Sequence, residues 1–211
     1  MAYTPWLYYY QTGGTVAAGG GLTSPHTFYP TAESGNLESI SATYATARDG
    51  GGTLNEGAGG QPGQTLVAGP LYYCWETFVA FDTSGIPDGA TISAATLEVY
   101  GWYDNSTTNF TLQARTYDYG ATLTTADFRT AAQLSAATLL ASIAVTSVTF
   151  SAYDTWTESG TALRDAISKT GETRMVICSD RHVAGTTPTN DEYAGIYVTV
   201  TQPMKLMVTW A

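Results

Sequence analysis

The stretch YYCWETFVAFDTSGIPDGATISAATLEVYGW, residues 72–102, decides how this chain folds. In its first part, Trp75, Thr77, Val79 and Phe81 share one parity, and Cys74, Glu76, Phe78 and Ala80 the other. Successive side chains of an extended chain point to opposite faces, so Tyr72–Phe81 reads as the strongest strand in the sequence. Ser84–Gly89 then reads as a turn: Pro87 presets φ, and Gly89 accepts the positive φ that other residues resist. Beyond it, Ala95, Leu97, Val99 and Gly101 alternate with Thr96, Glu98, Tyr100 and Trp102, which predicts a second strand.

The same grammar extends outward. Phe110, Leu112 and Ala114 alternate with Thr111, Gln113 and Arg115, and the polar loop Asp104–Thr108 joins this run to the previous one like a hairpin. His26–Tyr29, Leu37–Ala47, Leu139–Val145, Val148–Tyr153, Arg174–Ser179, Tyr193–Val200 and Lys205–Trp210 are also expected to be extended, with a glycine-rich loop over 49–64. One helix is expected where Leu163, Ala166 and Ile167 fall at helical spacing. Ser159 or Thr161 is placed to cap its start, and Gly171 to end it. Short strands separated by Gly, Pro and Asn turns predict an all-β jelly-roll β-sandwich with one short helix over residues 26–211. Residues 1–25 form an aromatic and glycine-rich arm ahead of it, with Trp6, Tyr8, Tyr9 and Tyr10 as candidate assembly residues. Two readings of the arm stand: packing on its own domain or a neighbouring subunit, or a frayed terminus.

Composition narrows the function classes. Charged residues make up 12% of the 211, about half the usual share, while glycines number 22. With a net charge of −10 and only eight Lys and Arg, the chain cannot offer the basic stripe that phosphates require. Nucleic-acid binding and docking on an anionic membrane are therefore not expected. No run approaches the ~20 apolar residues of a membrane-spanning helix, and the start lacks the pattern of a secretory signal. If Met1 is the natural start, synthesis in a host cytoplasm is expected, with Cys74 and Cys178 as buried free thiols rather than a disulfide.

Motifs for chemistry are sparse. The two histidines, His26 and His182, stand far apart and are expected at the surface or in turns. HExxH, CxxC, the nucleophile elbow and the phosphate-binding loop are all missing, and acids such as Asp154 and Glu158 occur in no recognisable setting. A non-enzyme is expected. Calcium is the weakest candidate, on Asp82, Asp180, Asp191 and Glu192, with Asp82 better suited to starting its turn at 82–89. Aromatics carry more. Tyr100 and Trp102 lie opposite Leu97 and Val99, with Tyr103 beside the loop, and form a candidate binding surface unless loops or the arm cover that face.

The segment Thr77–Tyr100 resembles the DNRLRE (disaggregatase-related) domains and related carbohydrate-binding-module-like jelly rolls. Their hallmark is a strand ending in F-D-T/S-S-x-I-P, followed by G-A-T-I-x-x-A-x-L-x-L/V-Y. Pro203–Trp210 is similar to the closing strand of the same group, P-K-L-x-V-T-Y/W, and the likeness covers about residues 65–210. It implies a jelly-roll fold rather than an activity. Members are accessory modules on secreted glycan-active proteins, and similar modules occur in phage tail, fibre and capsid-decoration proteins. Such jelly rolls often carry calcium. The expectation that follows is a structural protein of a bacteriophage virion, whose partners are copies of itself or other virion proteins. The alternative is a carbohydrate-binding module that recognises a glycan.

Overall fold

The computed structural model describes residues 22–57, 60–199 and 201–211. The first half holds β1 (His26–Phe28), β2 (Gly35–Ser41), α1 (Tyr44–Arg48), β3 (Thr53–Gly57), β4 (Gly63–Val67), β5 (Leu71–Asp82) and β6 (Ile92–Asp104). Next come β7 (Thr111–Thr116), α2 (Ala131–Ala136), β8 (Leu139–Ala144), β9 (Tyr153–Thr155), β10 (Thr157–Glu158) and α3 (Ala162–Asp165). The chain closes with β11 (Glu172–Ser179), α4 (Asp180–Val183), β12 (Glu192–Tyr197) and β13 (Lys205–Trp210). All strand pairs are antiparallel, and they build the two layers of a jelly-roll-like β-sandwich. Among the described residues, no helix is long and apolar enough to cross a membrane.

One layer is centred on β6. β9 lies on one side of it, and β12 and β13 lie end to end on the other. The last two strands are thus one long strand broken by an excursion, which the Met204 N–H closes on the Val198 carbonyl at 3.0 Å. The other layer is centred on β5, flanked by β2 on one side and by β4 and then β11 on the other. β7, β8 and β10 continue it past β11. The layers join because β4 pairs with both β5 and β12.

The alternation read in the sequence fixes which residues meet between the layers. Ala95, Leu97 and Val99 of β6 face Val79 and Phe81 of β5, with Leu112, Met175, Ile177, Leu206 and Val208. Trp156 and Leu163 belong to the same core. This dry interior removes enough apolar surface from water to drive the fold at about 25 cal/mol per Å².

The outer face of β5 is buried as well. Cys74, Phe78 and Ala80 meet Leu37, Val176 and Cys178 beneath Tyr44, Ala47, Tyr119, Phe128 and Leu134. α1, α2, α4 and the segment around Tyr117–Phe128 thus form a cap on this layer. Both thiols are free and buried, and burial pushes them far above their ordinary range.

Several expectations need correction. β3 forms inside the segment expected to be a glycine-rich loop, because the free edge of β2 offers it a hydrogen-bonding partner. Val148–Tyr153 is a turn rather than a strand, and extended structure resumes only at Tyr153. The expected helix forms only as a four-residue turn, α3, with no side-chain cap bond at Thr161. Three further short helices were not read, being too short to show a helical period. His182 is fully buried in the cap rather than at the surface, because Ser179 caps α4 and turns the imidazole inward.

Candidate binding surface

Tyr100 stands on the outer face of β6, directly between Tyr153 of β9 and Tyr197 of β12. Their ring centroids lie 5.2 and 5.6 Å from that of Tyr100. Tyr197 continues to Trp102 at 5.7 Å, and Trp102 to Tyr103 at 4.8 Å. Strict alternation would aim Tyr103 inward, with Leu97 and Val99. A bulge prevents this: Gly195 pairs with Tyr103 but Ile196 with Gly101, leaving Trp102 as the extra residue. One extra residue resets the phase of the strand, so the two neighbouring rings share the outer face.

The row then turns onto the second layer. Tyr103 meets Tyr193 at 6.3 Å, Tyr193 meets Trp75 at 5.0 Å, and Trp75 stacks on Tyr73 at 5.6 Å. Eight aromatic rings therefore follow one another without a gap wider than 6.3 Å. These separations fall in the range where aromatic pairs attract.

Two glycines make the continuity possible. A Cβ on Gly195 would stand 2.3 Å from Cε1 of Tyr103, so this ring lies on bare backbone. Gly63 occupies the strand between Trp75 and Tyr193, where a Cβ would meet Cβ of Tyr193 at 2.6 Å. Its φ of +145° is also one that other residues resist.

Hydrogen bonds hold the rings in place. Asn105 Nδ2 donates to the Tyr193 hydroxyl at 2.6 Å, and Gln61 Nε2 to the Tyr103 hydroxyl. Tyr153 Oη donates to the Pro203 carbonyl at 2.9 Å, and Trp75 Nε1 to Glu38 at 2.7 Å. Lys205 Nζ lies 3.5 Å from the centre of the Tyr153 ring and 3.3 Å from Glu98. Burial pushes the Tyr103 and Tyr153 hydroxyls above the ordinary phenol range, so they remain neutral at physiological pH. The tyrosines of the stripe are half-buried, Trp75 is buried, and Trp102 is 55% exposed. A surface fixed in this way is preorganised, because its side chains lose little freedom when something lands on it.

Tyr100, Trp102 and Tyr103, the candidates read from the sequence, are thus brought together. Sequence reasoning missed Tyr73, Trp75, Tyr153, Tyr193 and Tyr197. The shared parity of Tyr193 and Tyr197 is a signal within one strand, but the order of strands is what joins them to Trp102. Trp6 and Tyr8–Tyr10 lie outside the described residues.

The four calcium candidates do not converge. Asp82 accepts from the Ser84 N–H and hydroxyl at 3.1 and 2.6 Å, the turn-starting role also expected of it. Asp180 accepts from the Thr111 N–H at 2.9 Å, and Asp191 from the Thr65 hydroxyl. Glu192 is buried, with Gln64 at 2.7 Å and Arg181 at 2.6 Å on one oxygen. Among the described residues, no three His, Cys, Asp or Glu side chains gather as a metal site would require. These acids do not fit a shared calcium site.

No protein-family model matches the chain, and neither does any curated protein.

Proposed function

We propose that this chain is a non-enzymatic structural protein of a bacteriophage particle, displaying a jelly-roll surface through which it meets other virion proteins or copies of itself. The observation that carries the reading is the continuous aromatic stripe from Tyr153 to Tyr73, with Trp102 left more than half exposed. A rigid, half-buried aromatic row with few charges and Trp102 at its crest has the composition of an interface core. The resemblance of Thr77–Tyr100 and Pro203–Trp210 to modules of phage tail, fibre and decoration proteins supports the particle as its setting. The test is the mass of the purified protein in solution, together with mass spectrometry of particles made by the phage that encodes it. Assembly into oligomers and incorporation are expected. A monomer missing from particles would overturn the proposal.

A second reading is favoured by one feature of the same surface. Flat rings flanked by the amides of Gln61 and Asn105 pair apolar platforms with hydrogen-bonding groups, which suits the alternating C–H faces and hydroxyls of a neutral glycan. Calorimetry against neutral polysaccharides separates the two. Millimolar or tighter binding that Trp102→Ala abolishes supports the glycan. No heat at millimolar sugar removes it.

A further inference from the structure

Beneath the cap lies a polar pair that the aromatic surface does not use. Glu76 of β5 and His182 of α4 are both completely buried, with Glu76 Oε1 3.8 Å from His182 Nε2. Glu76 ties the sandwich layer to the cap, and His182 ties two helices of the cap to one another. Glu76 Oε2 accepts from the Arg129 N–H at 2.9 Å, just ahead of α2. His182 Nε2 lies 2.9 Å from the carbonyl of Arg48 at the end of α1. A carbonyl only accepts, so Nε2 carries the proton and Nδ1 is bare. Among the described residues, Nδ1 and Glu76 Oε1 have no hydrogen-bond partner, which is rare for groups so deeply buried.

Glu76 sits where it does for a topological reason. β4 accompanies β5 as far as Trp75, and β11 takes over from Thr77, so Glu76 marks the fork at which the neighbouring strands change. The charges around the pair are already committed. Arg48 pairs with Asp49, whose carboxylate also accepts from the Ala131 N–H of α2. Arg129 lies over the Tyr117 ring, Arg181 pairs with Glu192, and Asp180 holds Thr111. Arg115 donates to carbonyls at the end of α2, Tyr44 donates to Gln64, and Cys74 and Cys178 are neutral thiols. The Arg129 charge favours an ionised Glu76 and the Asp49 charge a protonated His182, but burial outweighs both, and among the described residues neither side chain bonds to the pair.

We propose that Glu76 and His182 form a proton-controlled latch that fastens the helical cap to the sandwich. With one proton on Glu76 and the imidazole neutral, the pair carries no charge and the cap is closed. Losing the carboxyl proton, or adding a second proton to the imidazole, leaves a charge in a space without solvent. The cheapest relief is to lift α1, α2 and α4 while the sandwich core remains folded. Burial supports both limits, holding the Glu76 carboxyl well above the ordinary range and pushing His182 down to about 4.

Hydrogen exchange read by mass spectrometry, corrected for the intrinsic rate at each pH, tests the latch on the full chain. Peptides covering 44–50, 128–136 and 180–186 are expected to open at least about tenfold more near pH 3.5 than near pH 6, with β6 and β13 peptides unchanged. Glu76→Gln is expected to abolish the opening on the alkaline side and keep the acid one, and His182→Gln to do the reverse. Cap and core peptides that follow one common pH profile in the wild-type protein would overturn the proposal, whatever the variants do. So would an acid limb that persists undiminished in a folded His182→Gln protein.

Discussion

Gly195 has no side chain where Tyr103 needs the space. Gly195→Ala would set a methyl 2.3 Å from the ring, and no rotation of a backbone-held Cβ avoids that overlap. The variant is expected to lose about 1–3 kcal/mol in urea unfolding and to alter the near-ultraviolet circular dichroism of the stripe. Trp102→Ala should behave in the opposite way. With 55% of the residue exposed, its removal is expected to change stability by no more than about 0.5–1 kcal/mol while abolishing contact with the partner. The buried titrating pair gives two further signs. His182 in the unfolded chain titrates near ~6.5 and in the folded chain at about 4. Its contribution to stability is therefore complete above the first value and is lost as pH falls to the second. That amounts to about 3 kcal/mol, read as the difference between wild type and His182→Gln across the acid range. Glu76, held high by burial, works the other way: its contribution is complete below ~4.3 and is lost as pH rises toward the folded-state value. Glu76→Gln should thus gain stability over wild type as pH rises.

β6 is the element on which both halves of the account rest. Its inner residues anchor the sandwich core, and its outer residues carry the stripe. Leu97→Ala is expected to cost about 2–5 kcal/mol in equilibrium unfolding, because the site is fully buried and cannot collapse around a cavity. The contrast with Trp102→Ala, five residues along the same strand, measures how cleanly its two faces divide between stability and contact. This division was legible in the sequence, since Leu97 and Val99 alternate with Tyr100 and Trp102 over many residues. The position of Tyr103 was not. Its outward turn depends on a bulge against Gly195, a residue about ninety positions away, and no local pattern announces such a register shift. The cap was illegible for a related reason. α1, α2 and α4 are one or two turns long and owe their form to the face of β5 and β11 beneath them, whereas local periodicity needs several turns to appear. His182 could not be placed without them. β3 likewise exists because β2 has a free edge, not because Thr53–Gly57 favours extension.

Across the whole molecule, apolar residues fill two compartments on either side of one sheet: the space between the layers and the space under the cap. Cys74 and Cys178 report on the second compartment. Near pH 6, where the cap is closed, both thiols are expected to be inert to an aromatic disulfide reagent in the native protein, and to react together, two per chain, when urea unfolds it. Reaction of one thiol well before global unfolding would place it in a cap that opens by itself. A net charge of −10 keeps such a β-rich surface from indiscriminate association, which leaves the aromatic stripe as the region suited to specific contact. Hydroxyl-radical footprinting of the protein free and in its assembled or ligand-bound form tests that claim most directly. Trp102, Tyr197 and Tyr193 are expected to lose most of their reactivity on assembly, while Tyr117, half-buried in the cap, keeps its own. Protection of other surfaces, with the stripe as reactive as in the free protein, would contradict it.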